Sequence, residues 1–272
     1  MLLALDTSSQ LIGVALYNGA DVLSEMSWYS PNYHTVQLAP TVAEILKRSG
    51  FEITDLQALA VALGPGSFTG LRVGIAFIKG LALACHLPLF GIPTLDIVAA
   101  AQPLKQDPAY PVYMAAVLQA GRGRLAVGWY QAEGMEKRTR RCSTLPFYKQ
   151  HWRCTGELQL LTSGDLVKRI QTESTSKGPI LVCGELDSKT RSLLEASAVL
   201  ASPAQSLRRS SYLAELAWER WQAGRVDDPA TLTPIYLRTE QVPSQAALLT
   251  YESKGGSMRK IPLTMVKKQT RP

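Results

Sequence analysis

The sequence predicts an α/β fold built from two related halves, on three observations. Short apolar runs alternate with longer segments of helical period along the chain, the pattern of strands and helices taking turns. The opening order of strand, turn, strand, turn, strand recurs from Val112: at an offset of 113 residues, Leu5 falls on Leu118, Val14 on Val127 and Tyr17 on Tyr130. Between the two copies, residues 102–111 hold Pro103, Pro108 and Pro111, the composition of a boundary. The expected organisation is a first half over 1–105, a second half over 106–235 whose helix at 210–223 packs back on the first, and a flexible basic tail over 236–272.

Leu2 to Asp6 is an apolar strand ending in Asp6-Thr7-Ser8-Ser9, and Leu11 to Tyr17 is a second. Asn18-Gly19 is hairpin-turn chemistry, and Val22 to Trp28 alternates as a third strand. Ser30-Pro31-Asn32 breaks the pattern. His34 to Ser49 then places Leu38, Val42, Ile45 and Leu46 on one helical face, with Gly50 at the end and Pro40 bending the early turns. Leu56 to Leu63 reads as a buried strand, Leu87 to Ile92 as another, and Pro93 to Ala101 as a helix. In the second half, Val112 to Leu118, Leu125 to Tyr130 and Met135 to Arg140 repeat the strands. Residues 141–178 read as irregular apart from a helix near Gly164 to Gln171. Ile180 to Cys183 is a strand, Gly184 a turn, and Leu186 to Ala196 a helix. Ser210 to Ala223 is a helix with Leu213, Leu216, Ala217 and Trp221 on one side.

One stretch organises the rest: Gly64-Pro65-Gly66-Ser67-Phe68-Thr69-Gly70-Leu71-Arg72-Val73-Gly74. Strand, glycine-rich turn, helix is an arrangement that either aims free N–H groups at an anion or holds two backbones close. The P-loop requires Gly-Lys-Ser/Thr, and Gly70 is followed by Leu71-Arg72; the dinucleotide pattern G-x-G-x-x-G fails at Thr69. The loop carries no nucleophile, base or metal ligand, which leaves an architectural turn. The helix behind it is apolar all round, through Leu71, Val73, Ile75, Phe77, Ile78, Leu81 and Leu83. Ala76, Gly80 and Ala84, four residues apart, make a smooth face for a second helix. Both sides therefore need cover, within the monomer or at a subunit interface. Arg72 lies in the first turn, where a cation is unfavourable unless it meets a carboxylate or phosphate; a local salt bridge is expected, a partner contact being the alternative. His34 is expected to cap its helix.

With 272 residues, 46% hydrophobic and 19% charged, the chain can bury a core and is not a disordered segment. Cys85, Cys142, Cys154 and Cys183 lie far apart with no C-x-x-C pair, as reduced thiols in a cytoplasm would. No signal peptide opens the chain, and no run approaches the ~18 apolar residues of a membrane span. The net charge of +7 is concentrated: between Glu252 and Pro272 there are six basic residues (Lys254, Arg259, Lys260, Lys267, Lys268, Arg271) against one acid, which is +5 of the +7. Such a tail either touches RNA phosphates or is solvated, and no aromatic residues interleave the charges as base stacking would need.

Two related halves, each opening with a three-stranded unit, resemble the actin-like ATPase (ASKHA) fold. In that architecture the opening hairpins face each other around a nucleotide and its magnesium. Asp6, Thr7 and Ser8 stand at the first such position and Gln119 at the second, where an amide lacks the anionic oxygen Mg²⁺ favours. The expected Gly-Gly turn against adenosine reads Gly184-Glu185, whose carboxylate repels phosphate. Asp6, Thr7, Ser8 and Gly184 are thus candidates for a vestigial nucleotide site. For Asp6, a turn carboxylate accepting backbone hydrogen bonds is the alternative.

Leu3-Ala4-Leu5-Asp6-Thr7-Ser8, His34 with Leu38-Ala39-Pro40, the eleven-residue glycine motif and Pro234-Ile235-Tyr236-Leu237-Arg238 together resemble the TsaB family, formerly YeaZ. The resemblance is strong over 1–100 and weak over 110–230. It implies a non-catalytic subunit of the bacterial machinery that makes N6-threonylcarbamoyladenosine beside the anticodon of tRNAs reading ANN codons. The implied partners are the catalytic paralogue TsaD and the ATPase TsaE, with tRNA met indirectly, TsaC supplying threonylcarbamoyl-adenylate, and a homodimer when alone. It implies docking through the helices at 34–49 and 70–85, with Leu38, Val42, Ile45, Leu71, Arg72, Ile75, Ala76, Lys79 and Gly80 as candidate contacts. It implies no cofactor, no metal and no membrane. The metal-binding His-x-x-x-His pair of the paralogue falls in register on Thr94 and Val98, which cannot replace imidazoles. His34, His86 and His151 have no ligand spacing, and neither a zinc-protease motif nor a Ser/His/Asp grouping is present. The second half reads Gln119-Ala120-Gly121 where the family has Asp-Ala-Arg. Two other readings stand beside this one: an autonomous actin-like ATPase or small-molecule kinase, and an RNA-binding module acting through the tail.

Overall fold

The structure is a computed structural model and describes residues 1–30, 34–104, 110–121, 123–133 and 151–237. Met1–Leu237 form one compact unit. The first sheet holds β1 (Leu2–Asp6), β2 (Leu11–Tyr17), β3 (Val22–Tyr29), β4 (Ala58–Ala62) and β5 (Leu89–Ile92), in the order β3-β2-β1-β4-β5. The second holds β6 (Tyr113–Gln119), β7 (Arg124–Glu133), β8 (His151–Cys154), β9 (Gln159–Thr162), β10 (Ile180–Gly184) and β11 (Val199–Leu200). Its order is β11-β10-β6-β7-β8, with β9 also on β7. Read from the hairpin side, both sheets repeat one topology: antiparallel pairs in the opening hairpin, then two parallel neighbours. This duplication is the actin-like fold.

The repeat does not keep one offset. Asp6 pairs with Gly13 and Leu5 with Val14, whereas Gln119 pairs with Leu125 and Leu118 with Ala126, so the two hairpins differ in register by one residue and no single offset relates both of their strands. Met135 to Arg140 lies outside the described residues; the third strand described on this hairpin is β8. The stretch expected to be irregular holds β8, β9 and a full helix, α4 (Ser163–Lys177), started by Thr162, whose hydroxyl accepts from the Asp165 N–H at 3.2 Å.

β1 is buried end to end because both its faces are covered. Leu3 and Leu5 turn to one side with Ile12 and Val14, beneath α1 (His34–Arg48) and α2 (Phe68–Cys85). Leu2 and Ala4 turn to the other, with Ala15, Ala58, Ala60 and Ala62. That alanine floor lets α6 (Ser210–Gln222) settle close, with Leu213, Ala214 and Ala217 inward and Trp218 and Trp221 alongside. So the last helix covers the first sheet. The short α3 (Thr94–Ala100) follows the first sheet yet places Leu95, Val98 and Ala99 on the second, against Met114, Ala116 and Leu118. The second sheet's other face is closed by α4 and α5 (Ser188–Leu194). Between the halves, the Tyr130 hydroxyl on β7 donates to Asp96 on α3 at 2.7 Å. Burial holds the Asp96 carboxyl above its usual range, and this hydrogen bond works against that shift.

α2 corrects one expectation. Its 18 residues are long and apolar enough to cross a membrane by length and composition. Its inner side, Leu71, Ile75, Ile78 and Ala82, is buried, the last three in the core beneath the first sheet, which is how a core helix passes the same test. Of the expected tail, Tyr236 and Leu237 belong to the described unit, and 238–272 lie outside the described residues.

Candidate functional site

The glycine motif is a close-packing device between two loops. Ser67 caps α2, its hydroxyl accepting from the Gly70 N–H at 3.2 Å. The Ser67 N–H donates to the Ser8 carbonyl at 2.7 Å, and the Thr7 hydroxyl donates to the Gly70 carbonyl at 2.8 Å. The start of α2 therefore lies flat on the Asp6-Thr7-Ser8 turn. A Cβ at Gly66 would run into the Ser8 carbonyl, one at Gly70 into the Thr7 carbonyl, and one at Gly74 into the Thr7 hydroxyl. Gly64, at φ 104°, would set a Cβ 2.8 Å from the Ile235 carbonyl. Pro65 fills the turn between them, and its bond to Gly64 is cis. Gly70→Ala is expected to lower stability by about 1–3 kcal/mol, at the upper end because the obstacle is backbone; urea unfolding measures it.

The second motif closes on the first. The Ile235 N–H donates to the Leu63 carbonyl at 2.8 Å, and the Tyr236 ring packs on Phe68 with centroids 5.2 Å apart. Arg72 lies over the Phe68 ring, 3.8 Å from its centroid, and donates to the Tyr236 hydroxyl at 3.3 Å. The salt bridge expected of Arg72 is corrected: among the described residues its partners are aromatic, and the ring faces offset the unfavourable helix start. Thr69 stands exposed beside them.

The nine candidate docking residues divide. Leu38, Val42, Ile45 and Ile75 are buried in the first core cluster, Leu71 is buried as well, and all five offer nothing to a partner. The physical reason is the ordinary one: the apolar stripe of a helix on a sheet faces the sheet. Arg72, Ala76 and Gly80 are exposed, and Lys79 is half-buried. With them lie Leu83, 65% exposed, and Ala84. A Cβ on Gly80 would meet nothing within 4 Å. The outer face of α2 is thus smooth, apolar and bare within the described chain.

The candidate nucleotide residues are occupied by the protein itself. Asp6 is buried and accepts from the Ser8 N–H at 2.8 Å and from the Ser8 hydroxyl. Its other oxygen meets Arg208 Nε at 3.0 Å. Arg208 also bonds Glu185, the Ser9 hydroxyl at 2.6 Å and the Leu11 carbonyl at 3.4 Å. Burial lowers the guanidinium's affinity for its proton, but Asp6 and Glu185 outweigh this and hold it above its ordinary value. Thr7 is engaged with Gly70 and Ser8 with Asp6. Gly184, at φ 103°, packs against β6, its missing side chain making room for the Val117 carbonyl. Glu185 does not simply crowd the cleft; it is half of an internal ion pair.

Thr94 and Val98, at the register of the paralogue's metal pair, are both buried; the Thr94 hydroxyl accepts from the Gly64 N–H at 2.9 Å. No group of three or more metal-ligating side chains exists among the described residues. His86 ends α2 at φ 54°; the side chains of His34 and His151 lie outside the description. Cys85, Cys154 and Cys183 are free thiols, and Cys142 is not described.

Arg208 is the residue that sequence reasoning missed. Its signal was the one applied to Arg72: Arg208-Arg209 immediately precede a helix start, where cations need partners. Arg209 finds Glu25 at 2.6 Å, and that carboxylate also accepts from the Ser211 N–H at 2.9 Å, capping α6.

A protein-family model described as TsaD, tRNA N6-adenosine threonylcarbamoyltransferase, matches residues 29–140. The chain is 44% identical over 98 residues to the tRNA threonylcarbamoyladenosine biosynthesis protein TsaB of Escherichia coli, covering 36% of this chain and 42% of that protein. It is 32% identical over 130 residues to the Bacillus subtilis protein of the same name, covering 48% and 55%. The aligned part thus spans about half the length of these curated relatives. The solved structure of YeaZ from Pseudomonas aeruginosa shares the fold, with a TM-score of 0.64 at 24% identity over 87% of this chain and 99% of that one.

Proposed function

We propose that the chain is a member of the TsaB (YeaZ) family, whose curated relatives it matches at 32–44% identity over about half their length, and that it acts as a non-catalytic scaffold in N6-threonylcarbamoyladenosine synthesis on tRNA. It docks on the catalytic paralogue TsaD through the outer face of α2, with TsaE joining the pair and tRNA contacted through the assembly. The observation that carries this reading is the bare strip of Arg72, Ala76, Gly80, Leu83 and Ala84 on a helix whose inner side is locked in the core. Small residues on one helix let another approach closely, and an exposed apolar face of this kind marks an association surface. Lys79 borders the strip. When the chain is alone, a second copy covers the same face in a two-fold dimer. The setting is the cytoplasm.

The residues around Asp6 support the non-catalytic reading. Asp6 Oδ1 accepts twice from Ser8 and Oδ2 is paired with the buried Arg208, so a Mg²⁺ ion at Asp6 would have to compete with a cation of the protein itself. Reconstitution of tRNA modification from purified TsaC, TsaD and TsaE, with and without this chain, tests the proposal. Modified adenosine is expected only when the chain is added, and the chain with TsaC alone is expected to yield none. Full modification without the chain, or modification by the chain without TsaD, overturns the reading.

A further inference from the structure

The Arg208 side chain is 2% exposed and lies between a carboxylate of the first half and one of the second. Asp6 ends β1; Glu185 follows β10. Both strands run toward the same cleft, and 202 residues separate Asp6 from Arg208. The guanidinium reaches Asp6 through Nε, Glu185 through Nη1, and Ser9 and Leu11 through Nη2, so every nitrogen of its fork is engaged. The triad carries one positive and two negative charges. Glu185, 27% exposed on its side chain, faces the mouth and also accepts from the Gln119 N–H at 3.3 Å.

We propose that Arg208 is a built-in clamp: an internal cation that holds the two halves closed across the cleft and so removes the need for a bound ligand to do it. The clamp reaches further than the cleft. Asp6 fixes the Ser8 N–H, the Ser8 carbonyl holds the Ser67 N–H, and Thr7 holds Gly70. The start of α2 is therefore tied to Arg208 through three successive hydrogen bonds, Arg208 to Asp6, Ser8 to Asp6 and Ser67 to Ser8. A side chain that merely filled space would anchor only its own segment. A clamp anchors three segments distant in sequence: 6–11, 184–187 and 67–72. The inference stands on this cleft alone and is independent of the docking face.

Hydrogen exchange on the full chain, wild type against Arg208→Met, tests it. Methionine keeps much of the length and removes the charge. Amide exchange is expected to rise about tenfold or more in all three segments, while α4 and β9, on the far side of the second sheet, stay as in wild type. Faster exchange confined to 206–211 would show a local packing role and overturn the clamp. Should Arg208→Met fail to fold, the triple variant Asp6→Asn, Glu185→Gln, Arg208→Met removes every charge of the triad together and leaves none buried unpaired. It is expected to fold and still exchange faster than wild type at 184–187 and 6–11. Wild-type protection at both places in the triple variant would sink the proposal.

Discussion

Gly80→Arg is expected to abolish co-purification of TsaD with this chain and to leave its thermal unfolding unchanged. Gly80 is exposed on α2, and a Cβ there meets nothing within 4 Å. The folded monomer has room for the arginine, and a helix interior favours it over glycine by roughly 0.5–1 kcal/mol. An interface has no such room. Closing a second helix on this strip would bury an unpaired guanidinium, at about 2–5 kcal/mol, roughly thirtyfold or more in affinity. Ala76→Glu, one turn earlier on the same strip, is expected to act in the same way with the opposite charge. Agreement between the two signs would argue for burial over a charge-specific contact. Thr172→Arg on the exposed side of α4 is the control and is expected to bind as wild type does. Undiminished capture of TsaD by both α2 variants would move the interface elsewhere.

These variants rest on a division of α1 and α2 that periodicity could draw but not orient. The sequence groups Leu38, Val42 and Ile45 on one face, and the structure keeps them together. What a single sequence leaves open is whether such a stripe meets the chain's own sheet or a partner, because both are apolar. α2 adds to the ambiguity by being apolar on every side, so its inward residues became evident only with β4 beneath them. The glycine motif was legible as a turn that holds backbones close, since it lacked any chemistry of its own. That the close approaches at Gly66, Gly70 and Gly74 all fall on Thr7 and Ser8 was not legible, because the contact joins loops some sixty residues apart. The halves were visible from their repeated strand order. No single offset carries the register, because the two hairpins pair one residue out of step, and a period-2 strand hides a slip until its partner is known. Arg208 lay beyond reach for a related reason: an ion pair spanning the chain leaves no local pattern.

The second large effect is expected at Asp6. On an actin-like ATPase reading, Asp6→Ala would abolish nucleotide turnover and spare stability, since a metal ligand at a cleft is not what holds the fold together. On the structure described here the order is reversed. Asp6 is 3% exposed on its side chain and supplies both the partner of Arg208 and the acceptor for the Ser8 N–H. Removing it leaves a buried guanidinium with Glu185 as its one anionic partner, at a cost of about 3–5 kcal/mol. Asp6→Asn keeps an oxygen for the Ser8 N–H and gives up only the charge, so its loss should be the smaller of the two. Urea unfolding ranks the pair, and calorimetric titration with Mg-ATP supplies the opposing measurement. Wild-type stability in Asp6→Ala together with tight nucleotide binding by the unaltered chain would restore the enzyme reading. A steep fall in stability and no heat of binding would fix Asp6 as the anchor of a cleft that the protein has closed with its own cation.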